Sequence, residues 1–434
     1  MIPRPAVRGS RQRALWLATL GFFGGFAGVA VFGPLVPEFV NLLRLSPIEA
    51  GLLAGTPSLT GSLLRIPFGA MVDRIGGRAP FLVLLGLTLA GMIGLILLLW
   101  SRYPGEMAGT YPLLLGLGVL IGCGIASFPV GTAQISYWFP RNGQGGPLGI
   151  YAGIGNTGPS LSALFLPMIV ASLSMLAAYG LWTVVLLLIT IGYAVAMRDA
   201  PWFQLRKAAL PADSEQLAAF GQELVPPGSL TGGLRAAARE PATWVLVGCY
   251  LISFGGFLAL TAWLPTYWNG AYHTSLGQGG LLTFAFALVA ALVRVPGGLL
   301  SDRISIRYAL LGNFLLIGGA SLAVALTGRF WIAFLATIGI AIGMGLQNAV
   351  VFKLLPCYVP HAIGGAAGWV SGLGAVGGFV LPPVMGAIAA GGPGGYSSAF
   401  LAITVLVAGG LTGVGWLTRW TWACELEPRR ATTP

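Results

Sequence analysis

Charge is what this sequence has least of: Asp, Glu, Lys and Arg make up 8% of its 434 residues, where a soluble globular chain carries about 25%. Acidic residues number twelve and histidines two. That shortage excludes a solvated globular surface. With 56% hydrophobic residues and a mean hydropathy of +0.84, it defines a polytopic membrane protein. The two histidines, His273 and His361, lie in or beside expected loops, without a carboxylate and a nucleophile at matching spacing. Nucleophilic and metal catalysis lack their residues, so no enzymatic activity, metal or cofactor is expected. Cysteine is equally thin: Cys123, Cys249, Cys357 and Cys424 are scattered through or beside apolar segments, with neither a disulfide framework nor metal-ligand spacing.

What the chain does contain is long apolar runs. Twelve of them fall between about residues 15 and 420, each long enough to cross a hydrocarbon core of about 30 Å as a helix. The first, about 26 residues without a small-residue cleavage site, is expected to be retained as a helix. The longest polar stretch, 198–241, separates a six-segment half at 1–197 from a second at 242–434. A short amphipathic helix lying on the membrane is expected within it. The formal charge of +11 is unevenly placed: seventeen cations fall on the side of the linker, three (Arg44, Arg102, Arg329) on the other, and three (Arg65, Arg294, Lys353) within segments. This is the positive-inside pattern, with both termini and the linker cytoplasmic, so the basic balance points to a bilayer and not to nucleic acid.

The halves repeat each other. "LRIPFGAMVDRIGGR" at 64–78 and "VRVPGGLLSDRISIR" at 293–307 share seven of fifteen positions, among them Arg65/Arg294, Pro67/Pro296, Gly69/Gly298, Asp73/Asp302, Arg74/Arg303 and Arg78/Arg307. A second pair, "GIGNTG" at 153–158 and "GLGAVG" at 372–377, relates segments five and eleven. Two six-segment halves with such repeats are the pattern of a transporter whose site lies between the halves near the bilayer midplane.

Arg65 and Arg294 each precede the loop aspartate by eight residues, roughly 12 Å of helix, which sets them too deep to snorkel. Every carboxylate in the sequence falls in a loop, the linker, the tail or near a helix end, so none is available at that depth. Two buried arginines without partners would cost several kcal/mol each. A bound oxyanion received by the two planar forks removes that penalty; backbone carbonyls and water are the structural alternative.

Both glycine strings fit G-x-G-x-x-G, yet neither follows a strand nor has an acidic residue about 20 positions on, so a dinucleotide site is excluded. Glycines so spaced allow close helix packing, and a ligand role for the first string rests on Asn156, an amide needing a partner. Phe128, Tyr250 and Phe254 read as core until something places them in a site, Tyr250 being the most suggestive because its hydroxyl needs a partner. Lys353, near the inner end of segment ten, either snorkels or attracts anions at the inner mouth.

The element Gly69–Arg78 resembles the cytoplasmic loop motif of the major facilitator superfamily, with Gly69, Asp73, Arg74 and Arg78 in the first copy and Gly298, Asp302 and Arg303 in the second as the implied gating residues. "TPSLTGSLLRIPFGAMVDRIGGR", "SFPVGTAQISYWFPRNGQGGPLGIYAGIGNTGPSLS", "VRVPGGLLSDR" and "AAGWVSGLGAVGGFVLPP" together resemble the nitrate/nitrite porters of that superfamily, of the NarK type, over most of the chain. The resemblance implies an all-α membrane protein with twelve transmembrane helices in two six-helix halves. It implies that nitrate or nitrite binds between Arg65 and Arg294, with Phe128, Tyr250 and Phe254 as aromatic walls, Asn156 as a contact, and Gly372 and Gly374 in the glycine-rich eleventh helix. A monomer in the cytoplasmic membrane is expected. Ile125 and Ser127 depart from the family pattern, as does "GMGLQNAVVFKLLP" in segment ten.

The absence of a central carboxylate argues for nitrate/nitrite exchange by alternating access, since proton symport generally uses a titratable acid or histidine on the path. Nitrate–proton symport and carriage of another monovalent anion remain the alternatives. A membrane sensor would be expected to carry a signalling domain.

Overall fold

A computed structural model describes residues 7–140, 143–210, 212–213, 217, 220–226, 230–294, 296–297, 306–391 and 394–419. Gly298, Asp302 and Arg303 lie outside the described residues. Ten described helices are long and apolar enough to cross a membrane. Span one is Arg11–Leu43, span three Arg78–Arg102, span four Tyr111–Trp138, span five Gly145–Ser172, span six Met175–Ala196 and span seven Pro241–Tyr272. Span nine is Tyr308–Leu326, span ten Phe330–Leu355, span eleven Ile363–Gly391 and span twelve Ser398–Trp416. Span two, Pro47–Leu63 with Arg65–Ile75, and span eight, Leu276–Leu292, complete the order.

Span two divides just before Pro67. Pro67 has no N–H for the Leu63 carbonyl, and the helix stops for one residue, Leu64 (φ −70°, ψ −13°), before resuming at Arg65. Span eight does the same: Pro296 cannot donate to the Leu292 carbonyl, and Val293 (φ −65°, ψ −15°) interrupts the helix just before Arg294. The repeat in the sequence is thus a repeat in backbone, and each arginine is the first helical residue after a one-residue break. Other spans break as well: span four through a 3₁₀ turn at Cys123–Ala126, span five at Asn156 and Thr157, span seven through a π turn at Leu251–Gly255, and span eleven through a 3₁₀ turn at Gly374–Val376.

Glycine sets how closely the halves meet. A Cβ on Gly33 would lie 2.6 Å from the Ala262 carbonyl oxygen, and one on Gly280 would lie 2.5 Å from that of Ala163. Gly51 faces the Pro382 carbonyl and Gly386 the Pro47 carbonyl in the same backbone-to-backbone fashion. Spans one and seven, two and eleven, and five and eight are therefore in direct contact on the side away from the linker. The molecule is shut there and open on the linker side.

Asp73 accepts a hydrogen bond from the Tyr137 hydroxyl at 2.6 Å, and Arg78 donates from its backbone to Asp199 at 2.9 Å and from its guanidinium to the Ala194 carbonyl at 2.7 Å. The first copy of the loop element thus ties spans two and three to spans four and six, while Arg74 is exposed. Gly76, at φ +86°, accommodates the Asp199 carboxylate where any side chain would collide.

The linker forms short helices at Pro201–Lys207 and Leu230–Arg239. The second is amphipathic, as expected, but it does not simply lie on the membrane. It docks on span eleven, where Gly365 meets the Gly233 carbonyl, the Trp369 indole donates to the Leu234 carbonyl at 2.9 Å, and His361 Nε2 lies 3.3 Å from Glu240. The glycines of span eleven give it a protein groove in place of lipid. Gly365→Val fills that groove, and amide exchange across 230–239 is expected to rise at least tenfold; exchange at the parental rate would show that the backbone contact does not hold the helix.

Candidate functional site

The break in span two leaves Arg65 facing inward, 1% exposed. Its Nε donates to the Gly61 carbonyl at 3.2 Å and one terminal nitrogen to the Ser371 carbonyl of span eleven at 3.3 Å, both at the long end for such bonds. The other terminal nitrogen is buried without a partner. Nε and one terminal nitrogen of Arg294 are likewise buried and unpartnered. Neither arginine forms an ion pair among the described residues. Backbone carbonyls therefore meet part of the need of Arg65, and three guanidinium nitrogens of the pair remain without acceptors.

One aromatic ring joins the pair. The guanidinium carbon of Arg65 lies 4.7 Å from the Phe254 ring centroid and that of Arg294 5.0 Å, which bounds their separation at 9.7 Å. Even at that limit, two unit charges repel by about 2 kcal/mol at an effective dielectric near 20. Phe254 sits in the π turn of span seven, a local widening of the helix often found at functional sites. Cation–π attraction offsets some of the repulsion, yet it supplies no acceptor to the free N–H groups.

Around this centre the sequence-predicted residues fall into two sets. Tyr250 stacks at 4.9 Å on Phe254, the ring that both guanidinium groups approach. Phe128 lies 5.8 Å from the Arg65 guanidinium carbon, and it is positioned by Phe22 and by Tyr151, whose hydroxyl donates to the carbonyls of Ser127 and Phe128. These residues form the immediate wall. Gly372 and Gly374 act as spacers: a Cβ on the first would lie 2.7 Å from Ile66, beside Arg65, and one on the second 2.9 Å from the Tyr250 ring. Asn156 stands at the break in span five, next to Gly155, which packs on Phe22. Its Nδ2 donates to the Ala152 carbonyl while Oδ1 is buried without a partner. Gly69 packs on Pro129 of span four, below the site.

Sequence reasoning missed several contributors. Phe257, one helical turn beyond Phe254, lies 5.6 Å from the Arg294 guanidinium carbon, and Phe352 packs edge-on against Tyr250 at 5.1 Å. The Ser371 carbonyl, a backbone group, leaves no trace in residue type.

Arg65 lies at the inner end of a cavity of about 540 Å³. Phe128, Thr132, Phe352 and Ser371 line it, and the docked linker helix borders its mouth at Gly233 and Leu234. The cavity thus meets the site at Arg65 and Phe128, while Arg294, Tyr250 and Phe254 lie behind its lining.

A two-half bundle closed on one side, with such a centre at the end of the open cavity, is the architecture of a membrane transporter. The family model described as Major Facilitator Superfamily matches residues 18–380, and the chain belongs to that superfamily, whose members are transporters and not enzymes. It is 33% identical over 380 residues to the probable nitrate/nitrite transporter NarK2 of Mycobacterium tuberculosis, covering 86% of this chain and 87% of that one. It is 32% identical to the probable nitrate/nitrite antiporter NarK1 of Thermus thermophilus, covering 87% and 85%. Among solved structures, the partially occluded inward-open xylose transporter XylE from E. coli aligns with a TM-score of 0.72 at 13% identity, covering 95% of this chain and 100% of that one, which speaks to fold alone.

Proposed function

We propose that this protein carries nitrate and nitrite across the cytoplasmic membrane by alternating access, exchanging one for the other. The observation that carries the reading is the arginine pair: one guanidinium from each half, both against Phe254, with no carboxylate partner among the described residues. A planar monovalent oxyanion between Phe128 and the Tyr250–Phe254 stack would receive the free N–H groups and remove the charge repulsion. The names of the relatives, nitrate/nitrite transporter and antiporter, favour that anion over other monovalent ones.

The cycle follows from the charges. An empty site keeps its two cations apart and resists closure, and a loaded one closes with less repulsion, so turnover requires anion in both directions. Spans one to six and seven to twelve act as the two moving bodies, joined by the linker at 198–241, and the cation distribution sets linker and termini in the cytoplasm. One chain contains the whole site, so a monomer suffices.

Counterflow in proteoliposomes tests this. Labelled nitrate is expected to enter vesicles preloaded with nitrite, with or without a pH gradient, and not to enter empty ones. Gradient-driven uptake into empty vesicles would replace exchange by nitrate–proton symport.

A further inference from the structure

Span ten carries two neighbouring carboxamides, Gln347 and Asn348, in an otherwise apolar stretch. Gln347 is partly satisfied: its Oε1 accepts from Nδ2 of Asn313 in span nine at 3.1 Å, while its Nε2 is buried without a partner. Asn348 is 4% exposed, and neither its oxygen nor its nitrogen has a hydrogen-bond partner among the described residues. A buried amide is rarely left in that state without a reason.

Its neighbours give its direction. Met344, one turn earlier, reaches Gly256 of span seven, and Phe352, one turn later, packs on Tyr250 of the same span. Gly345 faces the Ala290 carbonyl of span eight, and the backbone at Leu346 faces Gly297. At about 100° per residue, Asn348 lies midway between Met344 and Phe352 and therefore faces span seven, with the span-eight side beginning about 60° further round at Gly345. Between Tyr250 and Gly256 lies the π turn with Phe254; between Ala290 and Gly297 lies Arg294. The amide thus faces the stretch of span seven that holds Phe254, the ring against which Arg294 lies.

We infer that Asn348 is an uncharged arm of the anion site: its Oδ1 and the free N–H groups of Arg294, which are not bonded to each other in this structure, come together when the anion binds, and its Nδ2 donates to an oxygen of the anion the two arginines share. The inference rests on the anion-carrying reading above. A carboxamide suits the task because it offers an acceptor to the cation and donors to the anion at once. It adds recognition without adding charge, which keeps the site matched to a monovalent substrate. A further directional donor also favours a planar anion with several oxygens over a spherical halide.

The test uses the full chain, with nitrate-dependent thermal stabilisation and proteoliposome counterflow as readouts. Asn348→Leu keeps approximate volume and removes both polar atoms. It is expected to raise the half-saturating nitrate concentration about fivefold or more, with the maximal rate within about twofold of the parent, and to narrow the preference for nitrate over chloride. Asn348→Asp sets a negative charge beside Arg294 and is expected to abolish stabilisation by nitrate while raising the unliganded unfolding temperature. Parental half-saturation and selectivity in Asn348→Leu would overturn the assignment. So would parental nitrate stabilisation in Asn348→Asp, which decides the matter should the leucine variant not fold. Arg65→Lys, assayed in parallel, separates the two levels: if it too behaves as the parent, the anion site itself is wrong, whereas an impaired Arg65→Lys beside a normal Asn348→Leu removes only the role of Asn348.

Discussion

Arg65→Lys and Arg294→Lys are each expected to lower nitrate exchange by a factor of about 10 to 150, although both keep the charge. A guanidinium presents a planar fork, and Arg65 already spends Nε and one terminal nitrogen on the Gly61 and Ser371 carbonyls while holding its remaining nitrogen free. An ammonium must choose between those carbonyls and the anion. Losing one charged hydrogen bond costs about 1.5–3 kcal/mol, which converts to the stated range. The companion Arg65→Ala makes a sharper distinction. Removing one of two like charges held within 9.7 Å relieves repulsion and a buried charge, so the unliganded protein is expected to unfold at a higher temperature while stabilisation by nitrate disappears. An alanine variant that is less stable without nitrate, or still stabilised by it, would mean that Arg65 is a structural strut.

Gly51→Val is expected to act on the other half of the cycle, leaving the anion site intact. Gly51 lies against the Pro382 carbonyl where spans two and eleven seal the side away from the linker, so a branched side chain there cannot fit while the seal is closed. Overpacking of this kind costs about 1–3 kcal/mol. Applied to only one of two states, that shifts their ratio by roughly 5- to 150-fold toward the state open on that side. Transport is expected to fall at least tenfold with nitrate stabilisation retained. A cysteine at position 58, where Ser58 is 1% exposed beside Gly378, should become reactive toward an impermeant thiol reagent in a background lacking the four native cysteines. An unreactive cysteine together with normal transport would show that the glycine contact does not govern the equilibrium.

These two results depend on features that differed in how legible they were. The arginine pair could be read in advance because two facts about residue type suffice: the repeat sets Arg65 and Arg294 at equivalent depth, and no acid exists there. The one-residue breaks before them accompany Pro67 and Pro296 but could not be foretold from proline alone, since Pro57, Pro167 and Pro265 sit inside unbroken helices. The common ring between the arginines likewise depends on a π turn, which no composition rule announces, and Phe254 was one aromatic among many. The docking of 230–239 on span eleven was hidden for a related reason: an amphipathic helix seeks any apolar surface, and only tertiary packing decides between bilayer and protein. Asn156 is expected at the substrate from the resemblance, and the structure sets it at the break in span five with its Oδ1 buried and unpartnered, a backbone break that residue spacing does not announce.

The uncompensated charge of the pair also bears on voltage. Trading one monovalent anion for another moves no net charge over a full cycle, so the membrane potential should not set the direction of exchange, and the loaded site carries only the one positive charge that the anion leaves unmatched. Returning an empty site would carry both positive charges through whatever part of the field separates the two orientations, at about 2.3 kcal/mol per elementary charge per 100 mV. A potential negative inside would thus hold an unloaded carrier facing the cytoplasm, and electrical polarisation itself would guard the cell against uncoupled leak.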